Sequence, residues 1–192
     1  MVSTIKIISG KYKGKRIPFK FIDADITTQK VKEALFSIID PIIKNSSFLD
    51  LFTASGQIGL EALSRGSTFT AFNDLDKKRF DFIKEYIDSV VLDKDSFVVT
   101  NFHFEHALRW FTNKEYKFDI IFVDPPYIKN KYNEFYIKLL DLISSSGILN
   151  DDGLIAVQHH SENNLDEKIG NLIQTKRRNY GSTSLTFYEH DK

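Results

Sequence analysis

Residues 50–61 read DLFTASGQIGLE, in which Ala54, Gly56 and Gly59 separate an apolar strand pattern from a helical one. This spacing is that of a turn on which a nucleotide-containing cofactor rests. Glycine lets the backbone approach a ligand closely, and the following helix points N–H groups at an anionic part of it. Tight strand–helix turns also favour glycine for packing alone. The spacing by itself therefore leaves a dinucleotide, an adenosyl cofactor and a plain turn open.

The pattern around this loop alternates between short apolar runs and amphipathic segments. The predicted strands cover residues 48–52, 69–73, 97–100, 118–123 and 154–158. The predicted helices between them cover residues 57–65, 76–90, 105–111 and 132–143. Apolar strands separated by helices form parallel sheets covered on both faces. We therefore predict a Rossmann-like, mostly parallel, doubly wound α/β fold with its site at the carboxyl ends of the strands.

The two ends of the chain add shorter elements. Residues 5–8 and 16–19 predict an N-terminal β-hairpin around a glycine-rich turn. A helix follows, and we expect Pro41 to stop it. Residues 172–178 and 184–189 predict a closing antiparallel hairpin at the C-terminus.

Composition excludes several kinds of chemistry. The chain has 192 residues, a formal net charge of zero and no cysteine, so disulfides, zinc–thiolate sites and thiol nucleophiles are excluded. The length fits one domain, with residues 1–45 as a hairpin-and-helix extension and residues 46–192 as the core. No apolar run is long enough for a membrane span, and no signal-peptide pattern is present. We therefore expect a cytoplasmic protein without a membrane partner.

The sharpest chemical signal follows the fourth predicted strand, where the sequence reads Asp124-Pro125-Pro126-Tyr127. Two prolines in a row end the strand and fix the direction of their carbonyls. Asp124 and the Pro125 carbonyl are placed to accept the two N–H groups of an aromatic amine, and Tyr127 to stack on its ring. Such acceptors localise the nitrogen lone pair. The motif therefore predicts direct, in-line methyl transfer to a base amine without metal or covalent intermediate.

Asp74 follows the second predicted strand, beside the glycine loop. It is the acidic residue expected to accept hydrogen bonds from the ribose hydroxyls of a cofactor. Asp76, two residues later, is expected to cap the next helix. An acidic residue at a strand end is also common as a simple cap, so both interpretations of Asp74 stay open.

With these residues placed, the chain resembles the RsmD-type family of bacterial 16S ribosomal RNA guanine-N2 methyltransferases. The likeness is carried by residues 7–15, 27–36, 50–62, 124–127 and 180–183, which are similar to the family's hairpin, helix motif, cofactor loop, catalytic motif and closing turn. The resemblance implies a class I methyltransferase fold with S-adenosyl-L-methionine as cofactor and S-adenosyl-L-homocysteine as product. It also implies that the substrate is one guanine of 16S rRNA. We expect that rRNA to be in an assembled or partly assembled 30S particle, and we expect the enzyme to be a monomer.

The loop, the strand ends and the resemblance together predict the site residues. The catalytic ones are the four of residues 124–127. The cofactor-binding ones are Asp50, Phe52, Thr53, Ala54, Ser55, Gly56, Gly59, Asp74, Leu75 and Thr28, with Asn101 or His103 meeting the adenine. The RNA-binding ones are cations without nearby acids, expected on either side of the catalytic mouth: Lys11, Lys13, Lys15, Arg16, Lys129 and Lys131.

Three places depart from the family's pattern. They are Thr53-Ala54 in place of Ala-Gly, Asp25-Ile26 in place of Arg-Pro, and the run from Asn101 to His103 where an acidic or amide residue usually meets the adenine. The departure at Ala54 and the missing acidic residue after the third strand keep open a non-catalytic, RNA-binding ribosome-assembly factor. A DNA adenine-N6 methyltransferase is a second alternative, since it can use the same catalytic motif. Such enzymes usually carry a target-recognition region, for which this chain has no space.

Overall fold

The computed structural model describes residues 4–18, 27–126 and 132–192. Its elements in chain order are β1 (Ile5–Lys6), β2 (Arg16–Ile17), α1 (Gln29–Ile43), β3 (Ser47–Asp50), α2 (Gln57–Arg65), β4 (Phe69–Asn73), α3 (Lys77–Val90), β5 (Phe97–Thr100), α4 (Phe104–Asn113), β6 (Phe118–Val123), α5 (Tyr132–Ser146), β7 (Leu149–His160), β8 (Lys168–Ile169), β9 (Leu172–Tyr180) and β10 (Thr183–His190). A 3₁₀ turn at Lys94–Ser96 precedes β5.

Eight strands form one sheet in the order β5-β4-β3-β6-β7-β10-β9-β8. The pairs from β5 to β7 are parallel, whereas β10 runs antiparallel to both β7 and β9, and β8 runs antiparallel to β9. Successive strands are added on one side of β3 as far as β5, and then on its other side from β6. The carboxyl ends of β3 and β6 therefore flank the switch point of the sheet, where ligands bind in folds of this kind.

Helices cover both faces of this sheet. On one face, α4 and α5 bury apolar residues at helical spacing, such as Phe104, Leu108 and Phe111 of α4. On the other face, α1 and α2 pack against β3, β6, β7 and β10. The β1–β2 hairpin and α3 pack together over α2 and β4. Among the described residues, no helix is long and apolar enough to cross a membrane.

The start of α2 lies close to the sheet because Gly59 has no side chain. A Cβ added at Gly59 would lie 2.2 Å from the ring of Phe72 on β4. Only glycine lets the helix approach β4 this closely. The contact fixes where the N-terminus of α2 meets the carboxyl edge of the sheet.

The predicted Rossmann-like α/β fold with a C-terminal antiparallel hairpin is confirmed. The prediction that Pro41 stops the first helix was wrong, because α1 continues through it to Ile43. Near the end of a helix, a proline removes only one backbone hydrogen-bond donor. Burial of Ile43, which is 2% exposed, favours the helical conformation of these last residues. The fifth strand is also longer than predicted, since β7 pairs with β6 on one side and with β10 on the other.

Candidate active site

A cavity of about 720 Å³ opens where β3, β4, β5 and β6 end. Its volume is in the range typical of small-molecule sites, roughly 300–1,000 Å³. A narrow cleft adjoins it and is lined by residues that include Thr27, Asp50 and Gln57. The cavity and the cleft share Phe52, Ala54 and Asp124. The loop after β3 and the residue after β6 therefore stand at the junction of the two spaces.

The loop after β3 contains two residues with positive φ. Ala54 has φ of 48° and Gly56 has φ of 78°, both in the left-handed region. Gly56 is the N-cap of α2 and offers no side chain to its N–H groups. Asp50 takes that place, because its Oδ2 accepts the Gly59 N–H at 3.0 Å. The positive end of α2 therefore already faces a carboxylate of the chain itself.

Asp50 is fully buried, and this burial raises the pKa of its carboxyl to about 7. The Gly59 N–H opposes the shift by stabilising the ionised form, and the nearby Asp74 carboxylate adds to it. Asp50 lines the narrow cleft. Among the described residues, no group of three or more histidine, aspartate or glutamate side chains is arranged to hold a metal ion.

Asp74 joins the loops that follow β3 and β4. Its Oδ2 accepts the Ala54 N–H and its Oδ1 accepts the Asp76 N–H, each at 2.8 Å. Burial raises its pKa, and its side chain lines the large cavity. Asp76 caps α3 by accepting the Arg79 N–H at 2.9 Å, which confirms the predicted cap. Asp74 thus shapes the loops and also presents a carboxylate to the cavity.

The structure separates the two candidates that follow β5. The Asn101 amide donates to the backbone carbonyls of Asp74 and Leu75, at 2.8 and 2.9 Å, and Asn101 does not line the cavity. His103 does line it, between Phe102 and Phe104. Leu75 also lines the cavity, with 64% of its surface exposed. Leu75, Phe102 and Phe104 therefore give the cavity apolar surface, and His103 is the polar residue that lines it directly after Phe102.

Asp124 lies just beyond β6, followed by a buried Pro125 and an exposed Pro126 that also line the cavity. Its Oδ2 accepts two side-chain hydrogen bonds: one from the Thr27 hydroxyl at 3.0 Å, the other from the Gln158 amide at 2.8 Å. Sequence reasoning missed both donors. Gln158 had a signal, because it ends the fifth predicted strand at the same edge of the sheet. Tyr127 lies outside the described residues.

Other predicted cofactor residues hold the backbone of their own segments. The Thr53 hydroxyl donates to the Asp50 carbonyl at 2.8 Å and accepts the Asn73 N–H at 3.1 Å. The Ser55 hydroxyl accepts the Gln57 N–H at 3.4 Å. Thr28 is exposed, lines neither space and caps α1. Its neighbour Thr27 lines the cleft instead.

The predicted RNA-binding cations of the hairpin lie away from the cavity. The Lys11 N–H donates to the Ser64 carbonyl at 2.7 Å, near the C-terminus of α2, about 10 Å along the helix from Gln57. The hairpin is also tied to the buried Glu61, which accepts the Ile8 and Ser9 N–H groups. The four hairpin cations line neither the cavity nor the cleft. Lys129 and Lys131 lie outside the described residues.

Comparisons with known proteins extend over nearly the whole chain. The family model described as "Conserved hypothetical protein 95" matches residues 5–189. The chain is 36% identical to "Putative rRNA methyltransferase YlbH" of Bacillus subtilis (strain 168), covering 96% of this chain and 98% of that protein. It is 34% identical to "Ribosomal RNA small subunit methyltransferase D" of Buchnera aphidicola subsp. Acyrthosiphon pisum (strain APS), covering 90% and 91%. The solved structure "Putative methyltransferase yhhF from Escherichia coli" superposes with a TM-score of 0.81 at 25% identity, covering 99% of each chain.

Proposed function

The chain belongs to the RsmD-type methyltransferase family, and on that premise we propose that it methylates the exocyclic 2-amino group of a guanine in 16S rRNA. The methyl donor in this proposal is S-adenosyl-L-methionine. The observation that carries the proposal is the place of Asp124, which lines both the large cavity and the narrow cleft. We expect a monomer that acts in the cytoplasm on an assembled or partly assembled 30S particle.

The residues around the cavity fit the proposed cofactor. The Asp74 carboxylate accepts one described hydrogen bond on each oxygen, so it has capacity left for ribose hydroxyls. The exposed Leu75 and the rings of Phe102 and Phe104 provide an apolar surface for an adenine. Of the two candidates, we assign His103 rather than Asn101 as the polar group nearest the adenine, because His103 lines the cavity and Asn101 does not. When bound, the cofactor supplies a methyl group activated by a sulfonium.

The substrate amine is held by acceptors in this proposal. One N–H of the guanine 2-amino group donates to the Asp124 carboxylate and the other to the Pro125 carbonyl. Both acceptors localise the nitrogen lone pair and stabilise the positive charge that develops on nitrogen. Once methylated, the amine would lose one proton to water while the Asp124 carboxylate and the Pro125 carbonyl hold the base in place. Tyr127 is assigned to stack on the base.

Methyl transfer assays test this function directly. Unmodified 30S particles, naked 16S rRNA and duplex DNA are each incubated with enzyme and tritiated S-adenosyl-L-methionine, and labelled nucleosides are identified by mass spectrometry. N2-methylguanosine from either RNA substrate is the expected product. Label on adenine in DNA would replace the proposal with the DNA methyltransferase. Failure to bind S-adenosyl-L-homocysteine in calorimetry would favour the non-catalytic assembly factor.

The hairpin remains our proposal for RNA binding, with contacts at a distance from the reacting base. Exchanging its four cations for alanine should weaken RNA binding without changing cofactor affinity. The slope of log K against log salt should fall by about one for each lost phosphate contact. The matched control exchanges four exposed lysines elsewhere: Lys84, Lys114, Lys168 and Lys192. If the hairpin variant methylates at the wild-type rate across a salt titration, RNA binds elsewhere.

A further inference from the structure

The carboxylate assigned to the base amine is held by two side chains from distant parts of the chain. The Thr27 hydroxyl, 97 residues earlier, and the Gln158 amide, 34 residues later, both donate to Asp124 Oδ2. Both donors are neutral, so they orient the carboxylate without cancelling its charge. Two hydrogen bonds on one oxygen restrict the side-chain rotation that would move the other oxygen.

Thr27 is itself held in place. It is buried, and its backbone carbonyl accepts the Gln57 side-chain amide at 3.0 Å. Gln57 is the first residue of α2 and directly follows the cofactor loop. Thr27 also directly precedes Thr28, the N-cap of α1. The Thr27 hydroxyl is therefore positioned in two ways: Gln57 at the start of α2 holds its backbone, and α1 begins directly after it.

Gln158 is held from the other direction. It is buried in β7, and its Cα pairs with that of Leu185 on β10. The Tyr136 hydroxyl of α5 donates to its backbone carbonyl at 3.4 Å. The register of β6 and β7 pairs Val123 with Val157, so Asp124 and Gln158 follow as neighbours at the same edge. The sheet itself therefore sets the distance between this amide and the carboxylate.

We propose that Thr27 and Gln158 are positioning residues that fix Asp124 in the orientation that accepts the substrate N–H. This inference rests on the proposed function. Transfer of a methyl group in line depends on placing the nitrogen accurately, and a misplacement of about 1 Å can cost a hundredfold in rate. A carboxylate fixed before the substrate arrives needs no reorganisation during the reaction. The link through Gln57 also ties this orientation to the cofactor loop.

The test combines Thr27→Val and Gln158→Leu with Asp124→Ala. Each single variant should lower kcat by roughly tenfold and leave KM for RNA and S-adenosyl-L-homocysteine affinity within about twofold. Thr27→Ser keeps the hydroxyl and should restore most of the rate. In the Asp124→Ala background there is no carboxylate to orient, so the same exchanges should change the residual rate by less than about twofold. Wild-type kcat in both single variants, or full additivity with Asp124→Ala, would overturn the proposal.

Thr70→Val is the matched control, because Thr70 is a buried threonine whose hydroxyl bonds to Ser67 near the start of β4, away from the cavity. It should leave kcat unchanged. A readout without substrate separates this proposal from the proposed function. The ¹³C signal of the Asp124 carboxyl, assigned by its loss in Asp124→Ala, should move in Thr27→Val and Gln158→Leu and stay in Thr70→Val. If the wild type methylates no RNA, the proposed function is wrong, and the ¹³C signal alone tests whether Thr27 and Gln158 position Asp124. A signal that does not move in Thr27→Val and Gln158→Leu contradicts that role.

Discussion

The cofactor side and the base side of the candidate active site are held together differently. On the cofactor side, Asp50 and Asp74 accept backbone N–H groups from residues no more than 20 positions away. On the base side, Asp124 accepts side-chain groups from residues 97 and 34 positions away. The predicted cofactor loop is therefore shaped by residues close to it in the chain, whereas the proposed acceptor for the base depends on three segments that the fold brings together. Substitutions on the two sides should separate binding from transfer.

Asp124→Ala should have the largest effect and should act on transfer alone. Loss of a preorganised acceptor at the reacting atom should lower the rate by a hundredfold or more, about 3 kcal/mol. Affinity for S-adenosyl-L-homocysteine should stay nearly unchanged in calorimetry. Asp124→Asn should be milder, since the amide oxygen still accepts a hydrogen bond. The exposed Asp151→Ala serves as control. Wild-type turnover by Asp124→Ala would contradict the role of Asp124 in methyl transfer, and with it the separation of binding from transfer between the two sides.

Asp50→Asn should change how stability depends on pH. Burial raises the folded-state pKa of Asp50 from 3.8 to about 7, so the folded protein binds this proton more tightly than the unfolded chain. The contribution of Asp50 to stability is therefore largest at low pH and declines as pH rises toward its folded pKa. Between about pH 5 and pH 8 the decline should be about 3 kcal/mol, and Asp50→Asn should abolish it.

The comparison with Asp50→Asn is needed because His159 also changes the stability of the protein between about pH 5 and pH 8, in the opposite direction. Burial lowers the pKa of His159 from 6.5 to about 4. His159 therefore lowers the stability of the folded protein as pH falls below 6.5. Urea unfolding of both proteins at the two pH values measures the difference, in which His159 cancels. If the difference in free energy of unfolding is independent of pH, the carboxylate of Asp50 is not destabilised by burial.

Asp74→Ala should weaken cofactor binding, the reverse of the Asp124 result. It removes the proposed ribose acceptor and also the carboxylate that accepts the Ala54 and Asp76 N–H groups. We expect a loss of about 1–3 kcal/mol in S-adenosyl-L-homocysteine affinity, measured by calorimetry. Asp93→Ala is the control, since Asp93 caps the 3₁₀ turn at Lys94–Ser96 and lines neither the cavity nor the cleft. Unchanged binding by Asp74→Ala would leave Asp74 with a purely structural role.

Ala54→Gly should give the smallest effect and a gain. Ala54 has φ of 48°, which strains an alanine by roughly 1 kcal/mol and suits glycine. We expect higher stability in urea unfolding or tighter cofactor binding. Ala156→Gly, at a buried position in β7, is the control and should be destabilised. If both variants lose stability alike, the conformation of Ala54 carries no strain.

Local chemistry explains which parts of the site were predictable. The cap by Asp76 and the place of Asp124 after a strand follow from spacing along a short segment. Thr27 and Gln158 were missed because nothing near them in the chain marks Asp124 as their partner. The choice of His103 over Asn101 also required the structure, since both follow β5 within three residues.

By itself, the sequence determined the alternation of strands and helices, the positions of the glycine loop and of the proposed catalytic motif, and the order in which they follow the strands. These features depend on periodicity and on backbone preferences, which act over a few residues. Only the tertiary structure decided that the hairpin packs on the far end of α2, that Asp50 faces the start of that helix, and that Asp124 is held by Thr27 and Gln158. Those contacts join residues far apart in the chain, and they exist only when the strands pair in register and the helices pack on the sheet.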